Sequence, residues 1–102
     1  MMSLPKMQAA HGKALHKQVI WITGASAGIG KALALALAAQ GAQLVLSARR
    51  VEALNAVLAE CQTLSAGPHM IMPLDVTDSA ACDAAYWEIL RQMGKVDWLI
   101  NN

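Results

Sequence analysis

Thr23-Gly24-Ala25-Ser26-Ala27-Gly28-Ile29-Gly30 stands between a run of branched apolar residues, Val19-Ile20-Trp21-Ile22, and an alanine- and leucine-rich stretch that begins at Lys31. Its glycines have the spacing G-x-x-x-G-x-G. Such a spacing answers three physical demands: a sharp strand-to-helix turn, backbone close enough to touch a phosphate, and a helix N-terminus aimed at that phosphate. Gly24 would serve the turn, Gly28 the close approach, and Gly30 the packing of helix on strand. An ordinary tight turn could use the same glycines, so the flanking segments have to decide.

Residues 19–22 are apolar on both faces and rich in β-branched side chains, which suits a strand buried between helix layers. The following KALALALAAQ alternates with period two, yet alanine is the best helix former and alternation of leucine with alanine is no strand signal. Ile29, Leu33 and Leu37 fall four apart on one helical face, and Gly41 is a natural stop. Strand, glycine loop and helix therefore come in the order that a phosphate cradle requires.

The alternation continues. Residues 43–47 read as a second strand, and residues 51–65 as a second helix with Val51, Leu54, Leu58 and Cys61 along one face. Residues 69–74 read as a third strand weakened by Pro73, and Thr77 or Asp78 can cap a third helix that ends near Met93 before Gly94. Residues 96–101 form a fourth strand. Short connections between alternating strands and helices predict an α/β fold, a Rossmann-like parallel sheet flanked by helices, in one domain over residues 18–102. Residues 1–17 lack the continuous apolar core of a secretory signal and read as a mobile lead-in, with an organelle-targeting role left open.

Composition narrows the partners. A net charge of +1 gives no global field for nucleic acid or acidic lipid, but Lys6, Lys13, Lys17, Lys31, Arg49 and Arg50 share the first fifty residues with no acid at all. That asymmetry invites an anionic ligand on the N-terminal half. Residues 19–48 hold Lys31 as their one charge, but four glycines interrupt them too often for a lipid-spanning helix, and no membrane partner is expected. Cys61 and Cys82 lack metal spacing and read as buried thiols of a reducing, cytoplasmic compartment. Neither His11, His16 nor His69 has ligand-spaced partners, so no metal is expected. Trp21 and Trp98 fall in strands and read as core, whereas Trp87 lies near Asp83 and Arg91 on the polar side of its helix and reads as a contact surface.

The end of the second strand is the second test of the cradle. There a dinucleotide-binding unit chooses its cofactor: an acid takes the ribose 2′-hydroxyl, a base takes a 2′-phosphate. This chain has Ser47-Ala48-Arg49-Arg50, and guanidinium forks suit a phosphate. Two arginines could also simply solubilise a loop, and Asp75 could be no more than a turn or capping carboxylate.

Taken together, Thr23 to Gly30, the run Leu74-Asp75-Val76-Thr77-Asp78 and the final Asn101-Asn102 resemble the short-chain dehydrogenase/reductase family. That family orders a TGxxxGxG loop, an Asp-Val pair after the third strand and an NNAG motif ending the fourth. The resemblance covers residues 18–102 and implies strand order 3-2-1-4. It implies that Gly24, Gly28, Ile29 and Gly30 line the pyrophosphate and nicotinamide side, that Ser26 and Arg49, with Arg50, reach the adenosine ribose and its 2′-phosphate, and that the cofactor is NADP(H). Asp75 and Val76 would hold the adenine, and Asn101 would lie beside the adenine ribose. The implied parent activity moves hydride to or from a small carbonyl or alcohol substrate, in a homo-oligomer when full length.

The family's catalytic Asn, Ser and Tyr-x-x-x-Lys lie beyond its NNAG motif. Tyr86, the one tyrosine here, is followed by Trp87-Glu88-Ile89-Leu90, with no lysine four residues on. No catalytic residue is therefore assigned, and the chain by itself is expected to be inactive: the cofactor-binding N-terminal part of an NADP(H)-dependent oxidoreductase. A stand-alone nucleotide-binding or interaction module is the alternative. A third possibility, an S-adenosylmethionine-binding methyltransferase-type domain, would want an acid where Arg49 stands.

Overall fold

A computed structural model describes residues 14–102. Seven elements follow one another: β1 (Val19–Thr23), α1 (Gly28–Ala39), β2 (Gln43–Ser47), α2 (Val51–Leu64), β3 (Met70–Ile71), α3 (Ser79–Met93) and β4 (Trp98–Asn101). The four strands pair in parallel in the order β3-β2-β1-β4. The α/β architecture and the strand order expected from the sequence are both present.

β1 is buried along its whole length because both its faces are covered. Ile20 and Ile22 point with Leu44 and Leu46 of β2 into a core closed by α1 and α2. Val19, Trp21 and Val45 point the other way, onto Ala85 and Ile89 of α3. Trp21 keeps its indole N–H satisfied there by donating to Ser47 Oγ at 2.8 Å, so both polar atoms are buried at no hydrogen-bonding loss.

Four features of the helices and strands differ from the sequence reading. The buried side of α1 is Gly30, Ala34 and Ala38, not Ile29, Leu33 and Leu37; Ile29 is 78% exposed. The sheet takes the small residues because they let the helix lie close on β1, and the leucines flank that seam. On α2 the buried set is Leu54, Val57 and Cys61, with Val51 exposed at the first turn. β3 is two residues long rather than six. Met72 N–H and Leu74 N–H still donate to Leu46 and Ala48 of the β2 strand run, and Pro73, which has no N–H, falls between them on the open edge where none is needed. Trp98 is 60% exposed instead of core, because β4 is paired on one side only among the described residues.

Of the expected lead-in, residues 1–13 lie outside the described residues. Residues 14–17 form a turn fixed to the domain: Leu15 N–H donates to the Gln40 carbonyl and the Leu15 side chain packs on the α1–α2 core. Cys61 and Cys82 are both free thiols; Cys61 is buried, whereas Cys82 is only half-buried, its Sγ 3.6 Å from the Val76 carbonyl.

Candidate functional site

All four strands point their C-terminal ends the same way, and the connections that leave them gather at one rim of the sheet. A groove of about 390 Å³ lies there. Its floor is the end of β1 (Thr23, Gly24, Ser26), one wall is the segment after β2 (Ala48, Arg49, Arg50), and the other is the segment after β3 (Leu74 to Thr77), with Asn102 beside the floor. The outer end of the sheet strands is where ligands sit in open α/β folds.

The three glycines of the loop have different surroundings. Gly24 has φ +64°, and a Cβ there would meet Asn102 Nδ2 at 2.9 Å. A Cβ on Gly30 would stand 2.0 Å from the Gly24 carbonyl oxygen, so glycine at 30 is what lets α1 begin against the loop. Gly28 differs from both. It has φ +57°, and a Cβ there would meet nothing within 4 Å among the described residues outside its own turn of helix. No packing partner demands the missing side chain at 28, and the backbone there is open to an approaching ligand.

α1 has no side-chain cap, as α2 also lacks one, and unlike α2 it has no acid in its first turn. Its N-cap, Ala27, offers no side-chain acceptor, and no acid occupies the first turn. By contrast Asp78 caps α3 by accepting from Ala81 N–H at 3.0 Å, and α2 carries Glu52 in its first turn. No side chain among the described residues accepts from the amides at the start of α1, where the positive end of the helix lies. Among the described residues, Arg49 and Arg50 are the cations lining the groove, both exposed.

Asp75 faces Arg49 across it. Its Oδ1 accepts from both Thr77 N–H (2.9 Å) and Thr77 Oγ1 (2.6 Å). These bonds, the hydroxyl's first, and then the Arg49 charge hold the carboxyl below the usual carboxylate range. The turn reading of Asp75 is thus realised, with Asp78 as the actual helix cap, while Asp75 also lines the groove. Val76, half exposed, presents an isopropyl group beside it. The groove joins a cationic wall, a fixed carboxylate and an apolar shelf.

Gly24, Ser26, Arg49, Arg50, Asp75 and Val76 are brought together in this groove. Gly28, Ile29 and Gly30 begin α1 beside it rather than lining it. Asn101 is elsewhere: its Oδ1 accepts from Thr23 Oγ1 at 2.8 Å, and it lines a second groove on the α3 side of the sheet. Asn102 takes the place at the first groove, donating from its backbone to Thr23 Oγ1 (3.1 Å) and from Nδ2 to the Gly24 carbonyl (3.2 Å). Thr23, Thr77 and Asn102 are groove residues that sequence reasoning did not assign. Thr23 and Thr77 were in the quoted motifs, but their bonding could not be read from spacing. Among the described residues no cluster of three His, Cys, Asp or Glu could hold a metal, and no helix is long and apolar enough to cross a membrane.

A parallel sheet in the order 3-2-1-4 with helices on both faces and a glycine turn leading from the first strand into a helix define a domain of the Rossmann class. The chain belongs to the short chain dehydrogenase family, whose sequence model matches residues 18–102. It is 43% identical over 91 residues to dehydrogenase/reductase SDR family member 7 of Mus musculus, a match that covers 86% of this chain and 27% of that protein. Among solved structures, a metagenomic short-chain oxidoreductase in complex with NADP superposes with TM-score 0.76 at 41% identity, over 83% of this chain and 38% of that one. An NAD+-bound xylitol dehydrogenase does so with TM-score 0.81 at 31% identity, over 85% and 33%. The chain thus spans about a quarter to a third of the length of the curated relatives it matches.

Proposed function

We propose that this chain is the cofactor-binding part of an NADP(H)-dependent short-chain oxidoreductase that reduces a carbonyl or oxidises an alcohol. The observation that carries the choice of cofactor is the segment after β2, where Arg49 and Arg50 line the groove and no acid is present. A 2′-hydroxyl would find no carboxylate acceptor at that position; a 2′-phosphate would find two guanidinium groups. The solved relatives include both NADP-bound and NAD+-bound proteins, so the discrimination rests on these side chains and not on kinship.

In this reading the pyrophosphate lies over Gly28 at the α1 N-terminus, Ser26 and Arg49 take the 2′-phosphate, and Asp75 with Val76 holds the adenine. The bound nicotinamide supplies the hydride chemistry. The residues present bind and orient it; no tyrosine–lysine pair stands among the described residues to move a proton, and the chain alone carries no dehydrogenase activity. The test is a titration of the chain with NADPH and NADH. NADPH should bind at least about tenfold more tightly, and Arg49→Ala should remove most of that preference, as a charge-assisted contact of about 1.5–3 kcal/mol would. Equal affinities before mutation would overturn the choice of cofactor.

A further inference from the structure

At the opposite, N-terminal end of the sheet, His69 joins three pieces of the chain. Its Nδ1 accepts from Leu44 N–H in β2 at 3.1 Å, and its Nε2 lies 3.2 Å from the Ser65 carbonyl oxygen and 3.0 Å from Ser65 Oγ, just after α2. An amide N–H can only donate and a carbonyl can only accept, so these partners fix the tautomer: Nε2 carries the proton and Nδ1 must not. The ring immediately precedes β3, an edge strand with only two ladder residues, Met70 paired to Val45 and Ile71 to Leu46. The same run continues through Met72 and Leu74 into the groove wall that holds Asp75 and Val76.

We propose that His69 is a proton-sensitive clasp. Protonation of Nδ1 turns its acceptor into a donor facing the Leu44 N–H, opens the joint between β2 and the α2–β3 connection, and loosens the run that leads from β3 to Asp75 and Val76. The surroundings leave this response to the ring itself. β2 contributes no titratable side chain. α2 contributes Glu52, Glu60 and Cys61; Glu60 is paired with Lys31 of α1, and burial keeps the Cys61 thiol protonated. No charge among them acts on His69, whose proton affinity is lowered by burial, with the Ser65 carbonyl pulling the other way.

The sign follows. The folded ring favours the neutral form, while the unfolded chain takes up its proton near the ordinary histidine value of about 6.5. The clasp is therefore intact above that value and weakens as pH falls below it. Only the last link, to Asp75 and Val76, rests on the nucleotide-binding reading.

The experiment is run first without nucleotide, on the chain between about pH 7.5 and about pH 5.5. Hydrogen exchange of the Leu44 amide, corrected for its intrinsic rate, and the urea unfolding equilibrium are followed. Opening should grow by up to about tenfold per pH unit below the midpoint in the wild type. His69→Asn, whose Oδ1 can accept the Leu44 N–H without titrating, should flatten that dependence, and His16→Gln should leave it unchanged. The same pH dependence in His69→Asn as in the wild type would overturn the clasp. Should that variant not fold, ring nitrogen chemical shifts of the wild type decide: an Nε2–H tautomer titrating together with Leu44 exchange supports the proposal, and an Nδ1–H tautomer or a titration without change at Leu44 overturns it. NADPH affinity is then measured over the same range, and a fall in the wild type that His69→Asn lacks supports the link to the groove. Binding that fails at every pH would count against the nucleotide reading alone, since the exchange data stand without it.

Discussion

At residue scale, Gly28 and Gly30 occupy one turn of sequence for different reasons. Gly30 is required by the protein: a methyl there would overlap the Gly24 carbonyl at 2.0 Å, and either the loop or the helix must move. Gly28 has open space above it and a positive φ, so alanine there costs about 1 kcal/mol of backbone strain but displaces nothing in the fold. The two variants should therefore part ways. Gly30→Ala should lower stability by about 1–3 kcal/mol or more through overpacking. Gly28→Ala should lose only the stability that this strain costs, and should lose NADPH affinity, because the methyl would stand at the proposed pyrophosphate position. Thermal melts and nucleotide titrations on the pair separate the two roles; unchanged NADPH affinity in Gly28→Ala would overturn the phosphate role of that glycine.

At the scale of elements, the caps decide what each helix can do. Asp78 closes the start of α3 and Gly94, at φ 86°, its end, so Asp78→Ala should cost about 1 kcal/mol in urea unfolding. α1 gives up such a cap, and its sheet side carries alanine where the sequence pattern favoured leucine. Ala34→Leu should accordingly destabilise by about 1–3 kcal/mol, the reverse of what a hydrophobicity pattern alone would suggest. β4 is tied in at its start by Asp97, whose Oδ2 accepts from Val19 N–H at 2.7 Å and from Lys95 at 2.9 Å. The Val19 bond first and Lys95 second hold its carboxyl below the ordinary value, so its contribution is present above the usual carboxylate range and lost as pH falls through the lowered one. Asp97→Asn should blunt the acid limb of an unfolding-versus-pH curve. Elements were legible in the sequence because composition and turn residues speak locally, and the order 3-2-1-4 came with the family resemblance. What escaped was set at a distance: the seam of α1 depends on how closely β1 lies, the short β3 on which edge Pro73 faces, and the position of Asn102 on Thr23 and Gly24, far away in sequence. Six of the assigned residues share the groove since strand ends converge in any parallel sheet, whereas Asn101 and Asn102 exchange places by the one-residue alternation of a strand, which no motif specifies.

At the scale of the whole molecule, the two faces of the sheet are covered unequally. Among the described residues α1 and α2 close one face, and α3 is the one helix on the other. β4 pairs only with β1 among the described residues, and its register puts Trp98 beside Ile20 on the first face and Leu99 beside Trp21 on the second. Trp98 is 60% and Leu99 56% exposed, and on α3 Tyr86 and Trp87 stand edge to face in the open, 67% of Trp87 being accessible. A free strand edge flanked by exposed aromatic and aliphatic side chains favours pairing with another chain. The 102-residue chain by itself should therefore associate in a concentration-dependent way, visible as a rising sedimentation coefficient between micromolar and higher loading. Lysine at Trp98 or Leu99 puts charge on that edge without touching the groove, and should shift the distribution toward monomer while leaving NADPH titrations unchanged. A wild-type chain that sediments as one monomeric species at all concentrations and melts cooperatively would show that β4 is a stable edge as it stands.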